Sequence, residues 1–261
     1  MKRQVAVGVV VSVLLSCASA ARADLMTIGT AQFEKDGPAY NLIYEDTQDL
    51  VWLDYTRAKN LRQNQVNWAA SLNSSGTLTY TLDSAYSVNW DDTVWRLPTT
   101  DESKANLSGG AGYAGPNGTG YHNYAHGYNM TNSEMGSLFY ESLDNLGVRA
   151  TDGTYRSSGY GLLNVGLFEN MVTPTGPTDI VFYWSSSKYS LDLSQAWGFN
   201  FTVGALTHSA AEGWGYGIAV RSADVSKVPD PDPPVVPIPS AALLGLLGLT
   251  TAIGRLRRTP R

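Results

Sequence analysis

The chain has 261 residues, and residues 24–227 carry 11 basic and 21 acidic side chains, a net charge of −10. This surplus of acid argues against nucleic acid as a partner and against adhesion to anionic membranes, because both depend on clustered lysine and arginine. All 28 tryptophan, tyrosine and phenylalanine residues fall in the same segment, a composition typical of a folded, aromatic-rich domain.

The first 23 residues have the pattern of a secretory signal peptide. A basic start precedes an apolar run, Val5–Leu15, that is too short to span a bilayer comfortably. Ala21 and Ala23 form an A-x-A site, which predicts cleavage by signal peptidase after residue 23. Alternatively, Cys17 ends a lipobox and carries a lipid. Since Cys17 is the only cysteine, the domain that follows has no disulfide, no cysteine-ligated zinc and no cysteine nucleophile.

The first predicted elements of the domain are two strands, Tyr40–Asp46 and Leu50–Asp54, whose side chains alternate in polarity around a turn. A short helix is predicted over Asn67–Leu72. A further strand, Thr93–Leu97, ends at Pro98, because proline cannot donate a hydrogen bond within a sheet.

Two capping boxes are predicted in the middle of the chain, Thr99 with Glu102 and Thr131 with Glu134. Each predicts the start of a helix. Between them, residues 108–128 are rich in glycine, tyrosine and asparagine, which indicates a long loop.

The clearest helix is predicted over Asn132–Leu146, where apolar residues keep the i, i+3, i+4, i+7 spacing and Gly147 follows as a stop. Its single apolar face predicts packing on a sheet. Three strands follow, at Phe182–Ser185, Ala196–Thr202 and Gly215–Arg221. Because strands and helices do not alternate regularly, we expect an α+β domain with a mostly antiparallel sheet, two or three helices and long loops.

The C-terminal end has three parts. Residues 228–239 hold six prolines and form an extended linker, residues 240–254 are uncharged and predict a short apolar transmembrane or sorting helix, and residues 255–261 form a basic cytoplasmic tail. With Pro237 and Pro239, this layout resembles the PEP-CTERM sorting signal in its VPxPxA variant. The resemblance implies processing by an exosortase and delivery to the cell surface or extracellular matrix. An ordinary single-pass tail anchor is the alternative.

Eight short motifs occur in order across residues 40–225. They are Leu50–Leu53, Trp68–Leu72, Trp95–Thr99, Ser133–Tyr140, Gly166–Phe168, Tyr183–Ser186, Ala196–Phe201 and Ala219–Arg221. Together they resemble the Lcl C-terminal domain family, named after a collagen-like bacterial adhesin and long filed as a domain of unknown function. The resemblance implies a C-type-lectin-like fold for residues 24–227.

The chain departs from the patterns of related proteins at two places. Ser222 follows Arg221 where family members often carry a cysteine, so a disulfide that the resemblance would imply is missing. The segment Arg96–Thr99 is similar to one in formylglycine-generating enzymes, whose oxidation chemistry needs cysteines or a copper–thiolate site. That activity does not carry over to a domain without a thiol.

The sequence offers no convincing catalytic set. His122 and His126 have metal-ligand spacing only in a helix, and the glycines around them indicate a loop. The carboxylate pairs Asp91–Asp92 and Asp101–Glu102 do not suit glycosidase chemistry, because neighbours on a strand point to opposite faces and Glu102 has a capping role. We therefore expect no enzymatic activity and no cofactor.

Calcium is the one metal for which oxygen ligands lie close together in the sequence. The sugar-binding tripeptides EPN, QPD and WND of C-type lectins are absent, and a solvated acidic loop is the alternative to a calcium site. The candidate ligands are Asp83, Asn89, Asp91 and Asp92.

Aromatic residues carry the binding prediction, because sugar rings stack on exposed tryptophan and tyrosine while neighbouring polar groups recognise the hydroxyls. The candidate glycan-binding residues are Tyr113, Tyr121, Tyr124, Tyr128, Trp90, Trp214 and Tyr216. Packing within the fold is the alternative for the four loop tyrosines. The tryptophans assigned to the core are Trp52, Trp68, Trp95, Trp184 and Trp197.

Four arginines are divided by their surroundings in the sequence. Arg96 and Arg221 lie inside apolar, strand-like runs and are predicted to be buried anchors that make ion pairs or hydrogen bonds. Arg57 and Arg62 are predicted to lie at the surface.

These features together predict an exported, non-enzymatic protein of the cell surface or biofilm matrix that binds exopolysaccharide or another glycan. The alternative is a structural or protein–protein interaction module that binds no sugar. A hydrolase would need convergent carboxylates or a catalytic triad in a pocket.

Overall fold

The structure, a computed structural model, describes residues 24–90, 92–102, 127–176 and 178–229. Val228 and Pro229 belong to a separate C-terminal unit and are not considered further. Within the described residues, the helices are α1 (Arg62–Ser71) and α2 (Glu134–Ser137), and a π-helical turn (Leu138–Ser142) follows α2. The strands are β1 (Leu25–Gln32), β2 (Ala39–Glu45), β3 (Leu50–Leu61), β4 (Thr79–Leu82), β5 (Tyr86–Asn89), β6 (Gly127–Tyr128), β7 (Phe182–Lys188), β8 (Gln195–Asn200), β9 (Ala205–Ala210), β10 (Trp214–Ser222) and β11 (Asp224–Lys227).

Nine of these strands form one sheet in the order β4-β1-β2-β3-β10-β7-β8-β9-β6, and β11 pairs with β5 in a separate ribbon. Neighbouring strands are antiparallel, except that β10 and β7 meet in parallel through the pair Tyr216 and Tyr183. A large, mostly antiparallel sheet with few helices is compatible with the predicted α+β class.

Strand β3 shows why the sheet is covered on both faces. Its first five residues are all buried, a continuous run that is typical of a strand with no solvated side. Leu50 and Trp52 join one core cluster with residues of α2 and the π-helical turn, whereas Val51 and Leu53 join a second cluster with Ala69 of α1. We call these two sides the α2 face and the α1 face.

Large and small residues complement one another on the α1 face. Phe182 and Trp184 of β7 are buried there, and glycines of the neighbouring strands leave room for their rings. A Cβ at Gly198 of β8 would overlap the Phe182 ring, and one at Gly215 of β10 would come within 2.8 Å of Trp184. Close packing therefore requires glycine at these two strand positions.

The helix predicted over Asn132–Leu146 is shorter than expected. α2 begins after Ser133, whose Oγ accepts a hydrogen bond from the Gly136 amide at 2.9 Å, so Ser133 rather than Thr131 is the N-cap. Helical structure ends at Ser142. The chain turns there because the Asn145 side chain bonds backbone groups of Leu163 and Asn164, a tertiary contact that overrides the helical pattern.

The earlier helix and strand predictions also need correction. α1 starts at Arg62 rather than Asn67, and the strand predicted over Thr93–Leu97 is reduced to a single bridge between Arg96 and Val220. Arg62 is buried, and its guanidinium donates hydrogen bonds to the backbone carbonyls of Ser185 and Ser186. Its predicted surface position was therefore wrong.

The capping box of Thr99 and Glu102 is not formed as predicted. Glu102 instead accepts hydrogen bonds from the Ser190 amide and the Trp197 indole. The Thr99 amide donates to Glu134 at 2.6 Å. Most of the helix predicted here lies outside the described residues.

Four of the five tryptophans assigned to the core, Trp52, Trp95, Trp184 and Trp197, are fully buried. Trp68 is half-buried on α1, where the Arg57 guanidinium lies 5.6 Å from the centre of its ring.

No helix among the described residues has the length and apolar character needed to cross a membrane. The predicted signal peptide with Ala21 and Ala23, the linker prolines Pro237 and Pro239, and the apolar segment 240–254 lie outside the described residues.

Candidate functional site

The predicted aromatic surface is only partly described, because Tyr113, Tyr121 and Tyr124 lie outside the described residues. Tyr128 is half-buried in β6 at the edge of the sheet. The remaining three candidates, Trp90, Trp214 and Tyr216, are described and do not form a single site.

Trp214 and Tyr216 lie on β10 and differ in environment. Trp214 is 68 % exposed. Tyr216 is half-buried against the α2-face cluster, where its ring lies 5.3 Å from that of Tyr183 and under the Lys59 ammonium. Tyr216 therefore has a packing role, and the structure does not place it with Trp90, which packs against the α1-face cluster.

Of the predicted binding residues, Trp90 has two aromatic rings and a guanidinium next to it. Its ring lies 5.7 Å from that of Tyr80 and 6.1 Å from that of Trp95. The Arg221 guanidinium carbon lies 4.6 Å from the centre of the Trp90 ring, within cation–π range. Thr93 fixes the turn after Trp90 by donating its hydroxyl to the carbonyls of Trp90 and Ser222.

The short ribbon explains why Trp90 and Arg221 meet. Trp90 directly follows β5. Arg221 is the next-to-last residue of β10, and β11 begins three residues later at Asp224. Because β5 and β11 pair in antiparallel register, with Asn89 opposite Asp224, the end of β5 and the end of β10 lie side by side. Pairing of residues distant in sequence thus builds this cluster.

An open cavity of about 430 Å³ adjoins the cluster, and we call it the Arg221 cavity. Such a volume lies at the lower end of the range for small-molecule sites. Its lining residues come from the turn after α1, from β4, from the segment after β5 and from one position of β10: Leu72, Asn73, Ser74, Ser75, Gly76, Leu78, Tyr80, Asp92, Thr93, Val94, Trp95 and Arg221.

Hydrogen bonds hold the walls of the Arg221 cavity together. Asn73 accepts from the Trp95 amide at 2.7 Å and donates to the Trp95 carbonyl at 2.9 Å. The Trp95 indole in turn donates to the Tyr80 hydroxyl at 2.7 Å. These contacts tie three separate segments to one another, so the cavity is largely formed before any ligand binds.

Arg221 differs from the anchor that was predicted. Arg96 does make the expected ion pair, a bidentate contact with Glu134 at 2.7 Å for each oxygen. Arg221 has no carboxylate partner in the described part of the chain, and its Nε is buried without a hydrogen-bond partner. A buried donor left unsatisfied by the protein is costly. The Arg221 side chain also borders the cavity, and a guanidinium carries further N–H donors that can bind a ligand.

The three calcium candidates that the structure describes do not form a cluster of acidic ligands. Asp83 accepts from the Ala85 amide in the turn before β5, Asn89 lies within β5, and Asp92 lines the Arg221 cavity. Asp91 lies outside the described residues. Over the described ranges, no group of three or more His, Cys, Asp or Glu side chains is placed to hold a metal ion. Calcium binding stays a prediction.

Of the three histidines, His122 and His126 lie outside the described residues. His208 stacks on Tyr189 with 4.1 Å between ring centres and hydrogen-bonds Gln195 through Nδ1. Burial lowers the pKa of His208, partly offset by Asp192 and Glu102. Its contacts are those of a packed side chain.

Comparison with known proteins gives no family for this chain. No family model, no curated protein and no solved structure matches it. The resemblance to the Lcl C-terminal domain family, and the C-type-lectin-like fold that it implies, stay predictions.

Sequence reasoning found Trp90 but missed the role of Arg221 and the turn that contains Asn73. One signal was present: Arg221 ends an apolar run, and its cross-strand neighbour Val51 belongs to another apolar run. Because Val51 of β3 lies opposite Arg221 of β10, the pairing of these two strands places no carboxylate beside the Arg221 guanidinium. The sequence therefore offered no reason to expect an ion pair between them.

Proposed function

We propose that residues 24–227 bind polysaccharide at the Arg221 cavity, as part of an exported, non-enzymatic protein of the cell surface or biofilm matrix. The observation that carries this proposal is the Arg221 guanidinium, which lies over the Trp90 ring, has no carboxylate partner in the described part of the chain and borders an open cavity. Sugars present apolar C–H faces and a rim of hydroxyl groups, which match aromatic rings and planar donors respectively.

Other polar groups at the cavity fit the same ligand class. The Tyr80 hydroxyl accepts from Trp95, which leaves its own proton for a ligand. Ser74, Ser75 and Asp92 add hydroxyl and carboxylate groups to the lining. Tyr80 and Trp95 are the aromatic residues of the lining, and Arg221 is its cation. Together with several hydroxyl groups, they make the cavity suited to a polyhydroxylated ligand.

The cellular context of this proposal comes from the two ends of the chain. Signal peptidase and an exosortase are the proposed processing partners, and exopolysaccharide or another surface glycan is the proposed ligand. A C-type-lectin-like fold and membership of the Lcl C-terminal domain family belong to the same proposal.

A protein–protein interaction module is the second candidate function. It is favoured by large apolar side chains that the domain leaves exposed on loops, among them Leu163, Leu191 and Leu193. Such a module would contact other surface proteins without binding sugar.

The test is co-sedimentation of the full chain with the exopolysaccharide of the producing cell, with and without EDTA. We expect Arg221→Gln to weaken binding about tenfold or more, because hydrogen bonds to a charged group contribute about 1.5–3 kcal/mol. Arg57→Gln is the matched control, since Arg57 also lies over a tryptophan ring but outside the cavity. Its binding should equal that of the unaltered chain.

Two results would contradict the glycan proposal. One is no co-sedimentation by folded protein at high concentration, which would favour the protein-interaction module. The other is equal binding by the Arg221→Gln and unaltered chains, which would move the ligand away from this cavity. Loss of binding in EDTA would add calcium to the proposal.

A further inference from the structure

A second cavity, of about 340 Å³, lies beside the end of β8, and we call it the Tyr160 cavity. Its walls come from three segments: residues 157–163, residues 174–176 and Thr202. Leu162 at this cavity belongs to the α2-face cluster, whereas Leu72 and Trp95 at the Arg221 cavity belong to the α1-face cluster. The two cavities are therefore associated with opposite faces of the sheet.

The first wall of the Tyr160 cavity is fixed by backbone hydrogen bonds. The Gly161 amide donates to Leu146 at 2.8 Å, and the Leu162 amide donates to Phe201 at 2.9 Å. Gly161 has φ +88°, and a Cβ there would lie 2.5 Å from the Thr202 carbonyl oxygen. Glycine is thus required for the loop to pack this closely on the end of β8.

The opposite wall is fixed through Asp179. Its carboxylate accepts from both the amide and the hydroxyl of Thr175, each at 3.1 Å. Its carbonyl accepts from the Thr202 hydroxyl, and its amide donates to Gly176. Since both walls are held by the protein itself, the cavity does not need to be ordered by its ligand.

The chemistry of this cavity differs from that of the Arg221 cavity, because no charged side chain lines it. Ser157 and Ser158 are exposed and Tyr160 is half-buried. These three hydroxyl-bearing residues line the cavity together with Leu163 and Pro174, which add apolar surface. Hydroxyl groups, one aromatic ring and apolar carbon without a charge suit a small neutral ligand with several hydroxyls.

We propose that the Tyr160 cavity is a second binding site, which takes one neutral sugar unit and acts independently of the Arg221 cavity. Tyr160 supplies a ring for the C–H face of the sugar and a hydroxyl for its rim. The backbone-fixed walls define the pocket, and Ser157 and Ser158 complete the polar side. This site goes beyond the proposed function, because it would bind sugar whether or not the Arg221 cavity does.

The test is saturation-transfer NMR on the full chain with four uncharged probes: the methyl glycosides of glucose, galactose, mannose and N-acetylglucosamine. We expect at least one probe to give a signal. Tyr160→Ala should abolish it, and Tyr160→Phe, which removes only the hydroxyl and leaves the fold intact, should weaken binding several-fold. Tyr155→Ala is the control, because Tyr155 is an exposed tyrosine outside this cavity.

The Arg221→Gln chain separates the two sites. The signal of the neutral probe should persist in that chain, even if polysaccharide co-sedimentation is lost. The inference is overturned if none of the four probes gives a signal with folded protein. It is also overturned if the signal survives Tyr160→Ala, or if it disappears in Arg221→Gln, since the sugar would then occupy a different site.

Discussion

Glu45 is a fully buried carboxylate whose described contacts include no cationic partner. It accepts hydrogen bonds from the Trp52 indole and the Gln48 amide, each at 2.8 Å, and from the Ser142 hydroxyl. Burial raises the pKa of Glu45, although these three donors oppose the shift. The folded chain therefore favours the protonated form more than the unfolded chain does.

This environment predicts a pH-dependent stability. A raised pKa in the folded state stabilises the fold fully below the pKa of unfolded glutamate, and that contribution is lost as pH rises through the folded-state pKa. Glu45→Gln imitates the protonated form, since one amide oxygen can accept from Trp52 and Gln48 while the NH₂ group donates to Ser142. We expect the variant to be more stable than the unaltered chain at neutral pH.

Urea unfolding at a series of pH values measures this effect. The advantage of Glu45→Gln should shrink steadily on acidification and vanish near the pKa of unfolded glutamate, about 4.3. Asp46→Asn is the control, because Asp46 is an exposed carboxylate next in the chain. A constant difference between the Glu45→Gln and unaltered chains at all pH values would contradict the prediction.

The environments of Arg96 and Arg221 were only partly predictable from the sequence. Both arginines were predicted to be buried anchors, but both are only half-buried, and of the two only Arg96 makes an ion pair among the described residues. The sequence did not distinguish them, because Glu134 reaches Arg96 only through the packing of α2 beside the bridge of Arg96 with Val220. Arg221 has Trp90 as its contact instead.

At the scale of elements, the fit between β7 and its neighbour β8 depends on Gly198. A methyl group at Gly198 would overlap the Phe182 ring and lie 2.5 Å from the Tyr183 carbonyl oxygen. Backbone cannot move aside as a flexible side chain can, so we expect Gly198→Ala to destabilise the fold by about 1–3 kcal/mol or more.

Gly176→Ala is the matched control for Gly198→Ala. Its Cβ would have no atom within 4 Å, and its backbone is not in the left-handed region. The control should be neutral or slightly stabilising, by about 0.4–1 kcal/mol, because alanine restricts the unfolded chain. Equal denaturation midpoints for the two variants would show that the β7–β8 packing tolerates the added methyl group.

The elements found from the sequence share one property, which is a run of apolar or aromatic residues. β2, β3, β7, β8 and β10 were located in this way, and each contributes several buried side chains. Six strands were missed: β1, β4, β5, β6, β9 and β11. β4, β5 and β11 contain no buried residue, and β1, β6 and β9 have at most two, so none of the six has a continuous apolar run. The Arg221 cavity was missed with them, since the β5–β11 ribbon brings its parts together.

At the scale of the whole molecule, the net charge of −10 on residues 24–227 leaves like charges facing one another over the surface. Self-repulsion destabilises a compact state, and salt screens it. We expect the melting temperature to rise when ionic strength increases from about 0.01 M to about 0.15 M, which shortens the Debye length from roughly 30 Å to roughly 8 Å.

Scanning calorimetry in sodium chloride and in choline chloride checks this expectation. An equal rise in both salts would assign the effect to screening rather than to binding of sodium ions. An unchanged or lower melting temperature would show that attractive pairs, such as Arg96 with Glu134, outweigh the repulsion.

The position of β10 has a consequence for the order of events as the chain is made. In the nine-stranded sheet, β10 separates the block β4-β1-β2-β3 from the block β7-β8-β9-β6, yet it is formed by Trp214–Ser222, near the end of the domain. A nascent chain therefore completes both blocks before it contains the strand that joins them, and closing so long a loop is slow. For a protein proposed to be exported, the nine-stranded sheet therefore stays incomplete, and the domain only partly folded, until almost the whole domain has been synthesised.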